Sequence, residues 1–283
     1  MANLDLRPLS LGEILDRTFS LYREHFLLFV GITAVPQLLV LAMKLAEVLL
    51  PSLLVGRVSP GVSGGLIAVG VAGALIGVVV YFVAYLFAQG GTVYAVSELY
   101  LGRPTTIRAS LERMRGNLGN LFGVTLLNGL AVGAATILLI LPGIYVACRL
   151  IACVPAALLE NLGPSESLSR SFELTRDNAW RSFVIYVLYF FLLYALMLLF
   201  VFPFTFAGAF FSARDPEMMQ MWMALSQVGS FFASVFVTPF LTIATAAFYY
   251  DLRVQKEAFD LQVMMNPSGA ALPGNAGVPK MFA

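Results

Sequence analysis

One eleven-residue pattern occurs three times in the chain, and each copy stands immediately before a pair of long apolar stretches. The copies begin at Leu15, Ile107 and Leu168. Each has an aliphatic residue at position one, Thr or Ser at position four, Phe or Leu at position five and Arg at position nine. Because internal repetition marks repeated structural units, the pattern predicts three copies of one unit. Each unit would be a short amphipathic helix followed by a hydrophobic hairpin.

The composition is that of an integral membrane protein. Hydrophobic residues make up 59% of the chain and charged residues 12%, with a mean hydropathy of +0.86, whereas a soluble domain has about 25% charged residues. A helix needs about 20 apolar residues to cross a bilayer. Five such stretches, and a shorter fourth one after a turn at Pro142-Gly143, predict an all-α membrane protein with six transmembrane helices. The predicted spans are residues 26–50, 66–88, 118–141, 144–159, 183–211 and 222–250.

The distribution of Lys and Arg predicts the orientation. Thirteen of the 17 lie on the side of the short helices and the carboxyl-terminal tail, and three lie on the other side. Since cytoplasmic loops are enriched in these residues, both termini are expected in the cytoplasm, with the chain in a bacterial plasma membrane.

Each unit has two spans, so all three enter the membrane in the same direction, as parallel repeats around an axis along the membrane normal. The units are expected over about residues 8–98, 104–160 and 164–251. They would form one membrane domain over residues 1–265, followed by a disordered cytoplasmic tail over residues 266–283.

The short helices have the pattern of helices that lie at a membrane surface. In the first copy the apolar residues at helical spacing are Leu11, Ile14, Leu15, Phe19, Tyr22 and Phe26. Ser10 and Glu13 have the spacing of a capping box, which predicts a helix start after Pro8. On the polar faces, Arg17, Arg108 and Arg170 are candidate contacts for anionic lipid. The alternative, that these helices pack beneath the bundle as elbows, is compatible with this interpretation.

An acidic residue ends the second span of each unit: Glu98, Glu160 and Asp251. Each lies near the interface, within reach of arginines of a neighbouring unit. The position-nine arginines, Arg23, Arg115 and Arg176, are the candidate partners. One interpretation is a ring of interfacial ion pairs that joins the units, and the other is a cytoplasmic gate that opens during transport.

Arg149 is the one charge well inside a predicted span, about 9 Å along the helix from its outer end. A charge at that depth faces protein, water or a ligand, and Glu47 or a bound phosphate is the candidate partner. Alternatively, Arg149 reaches the outer headgroups. Lys44 and Glu47 lie three residues apart and can pair with each other.

Catalytic motifs are missing from the sequence. It contains one histidine and two cysteines, and it has no Gly-rich phosphate loop, no metal-binding Cys/His cluster and no nucleophile elbow. We therefore expect no catalytic residue, no cofactor, no metal site and no nucleic-acid partner.

Four segments resemble bacterial proteins of the family named for the membrane domain of glycerophosphoryl diester phosphodiesterase. The resemblance covers residues 7 to about 260, nearly the whole chain. The segments are RPLSLGEILD at 7–16, LPGIY at 141–145 followed by Arg149, SRSFELTR at 169–176 and YYDLR at 249–253.

The resemblance implies a membrane region without the enzyme. In the proteins that give the family its name, this region is fused to a soluble phosphodiesterase barrel that uses paired histidines and a carboxylate-bound divalent metal. With one histidine and no long soluble segment, this sequence is expected to be non-catalytic. We expect a docking module for a partner in envelope or lipid metabolism, in contact with anionic lipids and a membrane or cytoplasmic protein. The alternative is a transporter or lipid-handling protein with a central cavity in a pseudo-threefold six-helix bundle.

Overall fold

The computed structural model describes residues 9–55, 63–211 and 216–257, so the predicted tail over 266–283 lies outside the described residues. Within those ranges the regular structure is entirely α-helical. The helices are α1 Leu11–Glu24, α2 Phe26–Val55, α3 Ser63–Tyr100, α4 Ile107–Arg115, α5 Leu118–Leu138, α6 Ile140–Arg149, α7 Cys153–Leu159, α8 Pro164–Leu174, α9 Ala179–Phe200, α10 Phe202–Phe211 and α11 Pro216–Glu257.

Six segments are long and apolar enough to cross a bilayer, which confirms an all-helical membrane protein. They are Phe26–Leu49, Gly70–Tyr100, Leu118–Leu138, Ile140–Leu159, Ala179–Phe200 and Met218–Glu257. The second spans of the first and third hairpins are much longer than predicted. With 38 and 42 residues, α3 and α11 measure about 57 and 63 Å at 1.5 Å per residue. The hydrocarbon core is about 30 Å thick, so both helices project far beyond it.

The turn of the second hairpin lies at Leu139, not at the predicted Pro142-Gly143. Pro142 is the third residue of α6, in the first turn, where a missing backbone N–H leaves no hydrogen bond unmade. Gly143 lets the two arms cross closely, because an added Cβ would lie 2.1 Å from the Thr136 hydroxyl oxygen. The returning span is then interrupted at residues 150–152, between α6 and α7.

The fifth span is also interrupted, at Val201 between α9 and α10. Pro203 is the second residue of α10, and proline removes a helical hydrogen bond and collides with the carbonyl four residues earlier. This proline therefore accounts for the break. Pro36 and Pro239 lie inside continuous helices.

The protein core lies where the second spans meet. α3, α7 and α11 pack against one another, and residues 90–97, 150–159 and 246–252 are buried at every position. The first spans lie outside them: α2 packs on α3 and α11, α5 on α6, α7 and α3, and α9 on α11 and α6. Each first span thus contacts its own hairpin partner and the second span of another hairpin.

The three short helices, α1, α4 and α8, surround these buried ends, and we call them the collar. α1 packs mainly on α11, α4 on α3, and α8 on α7 and α5. The predicted capping box of α1 is present: the Ser10 N–H donates to Glu13 at 2.7 Å and the Glu13 N–H donates to the Ser10 hydroxyl at 3.3 Å. Thr106 caps α4 through the Ala109 N–H. α1 and α4 therefore each begin at a residue whose side chain caps the helix.

A glycine pair in α3 lets α4 approach closely. A Cβ added at Gly90 would lie 2.0 Å from the sulfur of the fully buried Met114, and one at Gly91 would lie 3.2 Å from a Leu111 methyl. Because Gly90 and Gly91 have no side chains, α4 can pack closely against α3.

Replacement of Gly90 by Val should therefore destabilise the protein. The new side chain collides with Met114, and overpacking of this kind costs about 1–3 kcal/mol, measurable as a lower midpoint of thermal unfolding in detergent. Gly129→Val is the matched control, because a Cβ at Gly129 meets nothing within 4 Å. Equal shifts in the two variants would contradict the close contact between α3 and α4.

Candidate functional site

The small hydroxyl residue at position four of the repeated pattern faces the core in all three copies. Thr18 and Ser171 have no exposed surface and Ser110 is 2% exposed. The predicted apolar stripe shares this contact, since Ile14 in α1 and Met114 in α4 are also fully buried. Phe19 at position five differs: it is 46% exposed, although its ring lies 4.7 Å from that of Phe240. A small residue at the contact lets two helix axes approach.

Hydroxyl groups of α8 satisfy the backbone at the break between α6 and α7. The carbonyl of Arg149 accepts hydrogen bonds from Ser171 at 2.8 Å and Thr175 at 2.9 Å. The Ala152 N–H donates to the Ser171 hydroxyl at 3.2 Å. Because unsatisfied backbone groups in an apolar setting cost several kcal/mol, positions four and eight of the third copy make this interruption tolerable.

The side chain of Arg149 bonds to the collar and not to the predicted partner Glu47. Its Nη2 donates to the carbonyl of Phe172, its Nε donates to the Thr175 hydroxyl at 3.2 Å, and its Nη1 donates to the Tyr145 hydroxyl at 3.0 Å. Phe172 and Thr175 lie at the carboxyl end of α8, where a cation is favoured by the helix dipole. Because α8 packs along α7, the carboxyl end of α8 lies within hydrogen-bond distance of the Arg149 side chain.

Each of the three predicted acids lies against a collar segment. Glu98 and Glu160 contact the collar helix that follows them in the chain, and Asp251 contacts Leu9, just before α1. Glu98 pairs with Arg113 of α4 at 2.5 Å, and Glu160 pairs with Arg170 of α8 at 3.0 Å. Asp251, whose side chain has no exposed surface, accepts from the Leu9 N–H at 2.7 Å and from Arg181 at 2.8 Å.

The arginine partners differ from the predicted ones. Among the ion pairs of the described residues, none involves Arg23, Arg115 or Arg176. The cause in α4 is helical geometry: Arg115 is two residues beyond Arg113, and 200° around the axis from it. In the third copy, Arg176 lies past the end of α8.

Four charged groups meet where α7, α8 and α11 join. Arg170 pairs with Glu160 and Glu257, and Arg253 pairs with Glu257 at 3.0 Å. Burial alone would lower the pKa of the Arg170 guanidinium, but its hydrogen bonds to Glu257 and Glu160 outweigh that effect and raise the pKa. With its side chain 19% exposed, Arg170 is thus committed to this cluster, whereas the sequence made it a candidate lipid contact.

The other two candidate lipid contacts differ from each other. Arg17 lies over the ring of Tyr100, 5.5 Å from its centroid. Arg108 is 87% exposed and pairs with Glu112 of its own helix at 2.7 Å. Of the three, Arg108 therefore has the most accessible guanidinium.

The predicted pair of Lys44 and Glu47 is not among the ion pairs of the described residues. Glu47 is exposed and lies over Gly77 of α3, where its Oε1 is 2.7 Å from the position of an added Cβ. Within the described residues, no group of three or more His, Cys, Asp or Glu side chains is arranged to hold a metal ion.

The YYDLR segment, residues 249–253 of α11, connects the three hairpins. The Tyr249 hydroxyl donates to Glu160 at 2.6 Å, and the Tyr250 hydroxyl donates to Ser97 of α3 at 2.9 Å. Asp251 holds the chain before α1, as described above. In the sequence, these residues form a family motif and Asp251 ends the last span. Nothing in the sequence pattern indicates that the segment contacts all three hairpins.

Loss of the Asp251 charge should release α1. Asp251→Asn leaves Arg181, which is 17% exposed, without its counter-ion, and breaking such a pair costs about 3 kcal/mol. We expect faster hydrogen exchange across α1 and a lower unfolding midpoint. Glu112→Gln removes an exposed carboxylate of a collar helix and should change neither quantity. Unchanged exchange in α1 of the Asp251 variant would contradict the role of this contact.

Removal of the Ser171 hydroxyl should weaken the fourth span. Ser171→Ala leaves the Ala152 N–H without its partner and removes one donor to Arg149, a loss of about 1–3 kcal/mol. Ser110→Ala, at the same position of the pattern, removes only a 3.3 Å contact with Thr105 and should cost less. Chemical denaturation in mixed micelles compares the two, and an equal cost would show that the break does not depend on Ser171.

Residues 128–270, just over half of the 283-residue chain, match the family model described as the membrane domain of glycerophosphoryl diester phosphodiesterase. The match runs from within α5 past the end of α11, and so it includes α8 and the YYDLR segment. No curated protein and no solved structure matches the chain. The resemblance noted in the sequence is thereby confirmed, and the chain belongs to the family of the membrane domain of glycerophosphoryl diester phosphodiesterase.

Proposed function

We propose that this chain is a non-catalytic membrane module whose collar docks a partner enzyme at the cytoplasmic surface of a bacterial plasma membrane. The family description names the membrane domain of a glycerophosphoryl diester phosphodiesterase, so the proposed partner is an enzyme that hydrolyses glycerophosphodiesters. Arg and Lys enrichment on the collar side supports the cytoplasmic orientation of the collar and of both termini.

The proposal includes three parallel repeats, and the order of contacts supports them. α4 packs on the second span of the first hairpin, α8 on that of the second, and α1 on that of the third. The joint between collar helix and first span is also alike in the three units. His25, Asn117 and Asn178 have φ values of −117°, −113° and −114°.

The single observation that carries the docking function is the contrast between the two faces of the collar. The inner face is fixed by buried hydroxyls and ion pairs. The outer face exposes charges of both signs, Asp16, Arg23 and Glu24 on α1 and Glu173 on α8. Mixed charges on a rigid support are typical of the polar rim of a protein interface.

Packing at the bundle centre favours docking over transport through a central cavity. Tyr249, Phe248 and Ala156 are fully or almost fully buried between the second spans. Tyr100 and Tyr250 stack with their ring centroids 5.1 Å apart. The central space is thus occupied by side chains at the level of the collar.

Inside-out membrane vesicles that contain the chain should bind glycerophosphodiesterase activity from the cytosol of the same cells. Reversal of exposed charges by Asp16→Lys, Glu24→Lys and Arg176→Glu should release that activity, because it changes the docking face without touching the ion pairs of the core. The measurement is hydrolysis of glycerophosphocholine by washed vesicles.

Right-side-out vesicles are the control for orientation and should bind no activity. Equal activity on vesicles that lack the chain, or on vesicles with the charge-reversed collar, would contradict the docking function.

A further inference from the structure

A groove of about 810 Å³ runs between α2, α3 and α4, within the size range of sites for small organic ligands. Its floor is formed by apolar side chains of the two spans, among them Leu39 of α2 and Val79 of α3, which are 58% and 62% exposed. The groove therefore opens sideways, towards the acyl chains of the bilayer.

One end of the groove is polar, and α4 provides it. Arg108, Glu112 and Arg115 line that end, at spacings that place all three on one side of the helix. The opposite side of α4 faces the core through Ser110 and Met114. The groove thus has an apolar floor and a cationic end at the level of the collar.

The charges at that end leave one cation in excess. Arg108 pairs with Glu112, whereas Arg115 is exposed and forms no ion pair with another described residue. A guanidinium binds a phosphate in a two-pronged geometry. A ligand that matches both parts carries one negative phosphodiester and an acyl chain.

We propose that the groove is a binding site for one anionic phospholipid, with its phosphodiester on Arg115 and Arg108 and one acyl chain between α2 and α3. A free phosphate would leave the apolar floor uncovered, whereas an acyl chain covers it. The apolar floor therefore favours a lipid over a free phosphate. The site does not depend on the docking of a partner enzyme, and the two are tested by different measurements.

Native mass spectrometry of the full chain, with added dioleoyl phosphatidylglycerol or dioleoyl phosphatidylcholine, tests the headgroup contact. We expect one phosphatidylglycerol per chain, bound about tenfold more tightly than phosphatidylcholine. Both lipids carry the phosphodiester, but the choline cation of phosphatidylcholine offsets that charge and is repelled by the excess cation of the groove. Arg115→Glu should abolish this preference. Arg23→Glu is the matched control, since it makes the same charge change at the same position of the repeated pattern on α1, and it should retain the preference.

Two neighbouring valines of α3 test the acyl-chain contact. Val79 lines the groove, whereas Val78 is 66% exposed beside it. Val79→Trp should fill the floor and weaken phosphatidylglycerol binding, and Val78→Trp should leave it unchanged.

Three results would overturn the site: equal binding of the two lipids, an equal effect within either matched pair of variants, or displacement of the lipid by excess inorganic phosphate. Should Arg115→Glu lower the unfolding midpoint, Arg115→Gln provides the same comparison with a smaller change.

Discussion

A single buried carboxylate organises this structure. The side chain of Asp251 has no exposed surface, and a charge in such a place is tolerated only when counter-charges and hydrogen-bond donors surround it. Arg181, the Leu9 N–H and Gln255 provide them at 2.7–2.9 Å. Since Arg181 also donates to the Leu9 carbonyl at 2.7 Å, both backbone polar groups of Leu9 are fixed. The position of the start of α1 against α11 follows from this contact.

Ion pairs also join the second spans to the collar at Glu98 and Glu160, but these pairs are less buried than that of Asp251. Glu98 and Glu160 are partly exposed, and their arginine partners differ in exposure, 53% for Arg113 and 19% for Arg170. An exposed pair is worth about 0–1 kcal/mol, whereas a desolvated one matters far more. These three contacts are therefore unequal in strength, although the sequence pattern that precedes each hairpin is the same.

Much of the architecture could be predicted because it depends on periodicity. The apolar runs give the spans, and Ser10 with Glu13 gives the start of α1. The lengths of α3 and α11 could not be predicted, because hydropathy does not distinguish a helix buried in lipid from one buried in protein. Ion-pair partners such as Arg113 depend on rotation about the helix axis, which a shared motif position does not specify. The groove beside Arg115 is formed by both spans of the first hairpin and the collar helix α4, so no local pattern reveals it.

The contact between Leu9 and Asp251 joins residues 242 positions apart in the chain. Translation produces the amino-terminal helix first, and long-range contacts form only when both partners exist. During synthesis, α1 therefore has no α11 against which to pack, and its apolar face is left to the bilayer surface. The bundle closes in its last step, when the final span is inserted. An amphipathic helix is suited to that interval, because it is stable at the surface before the protein core is available to it.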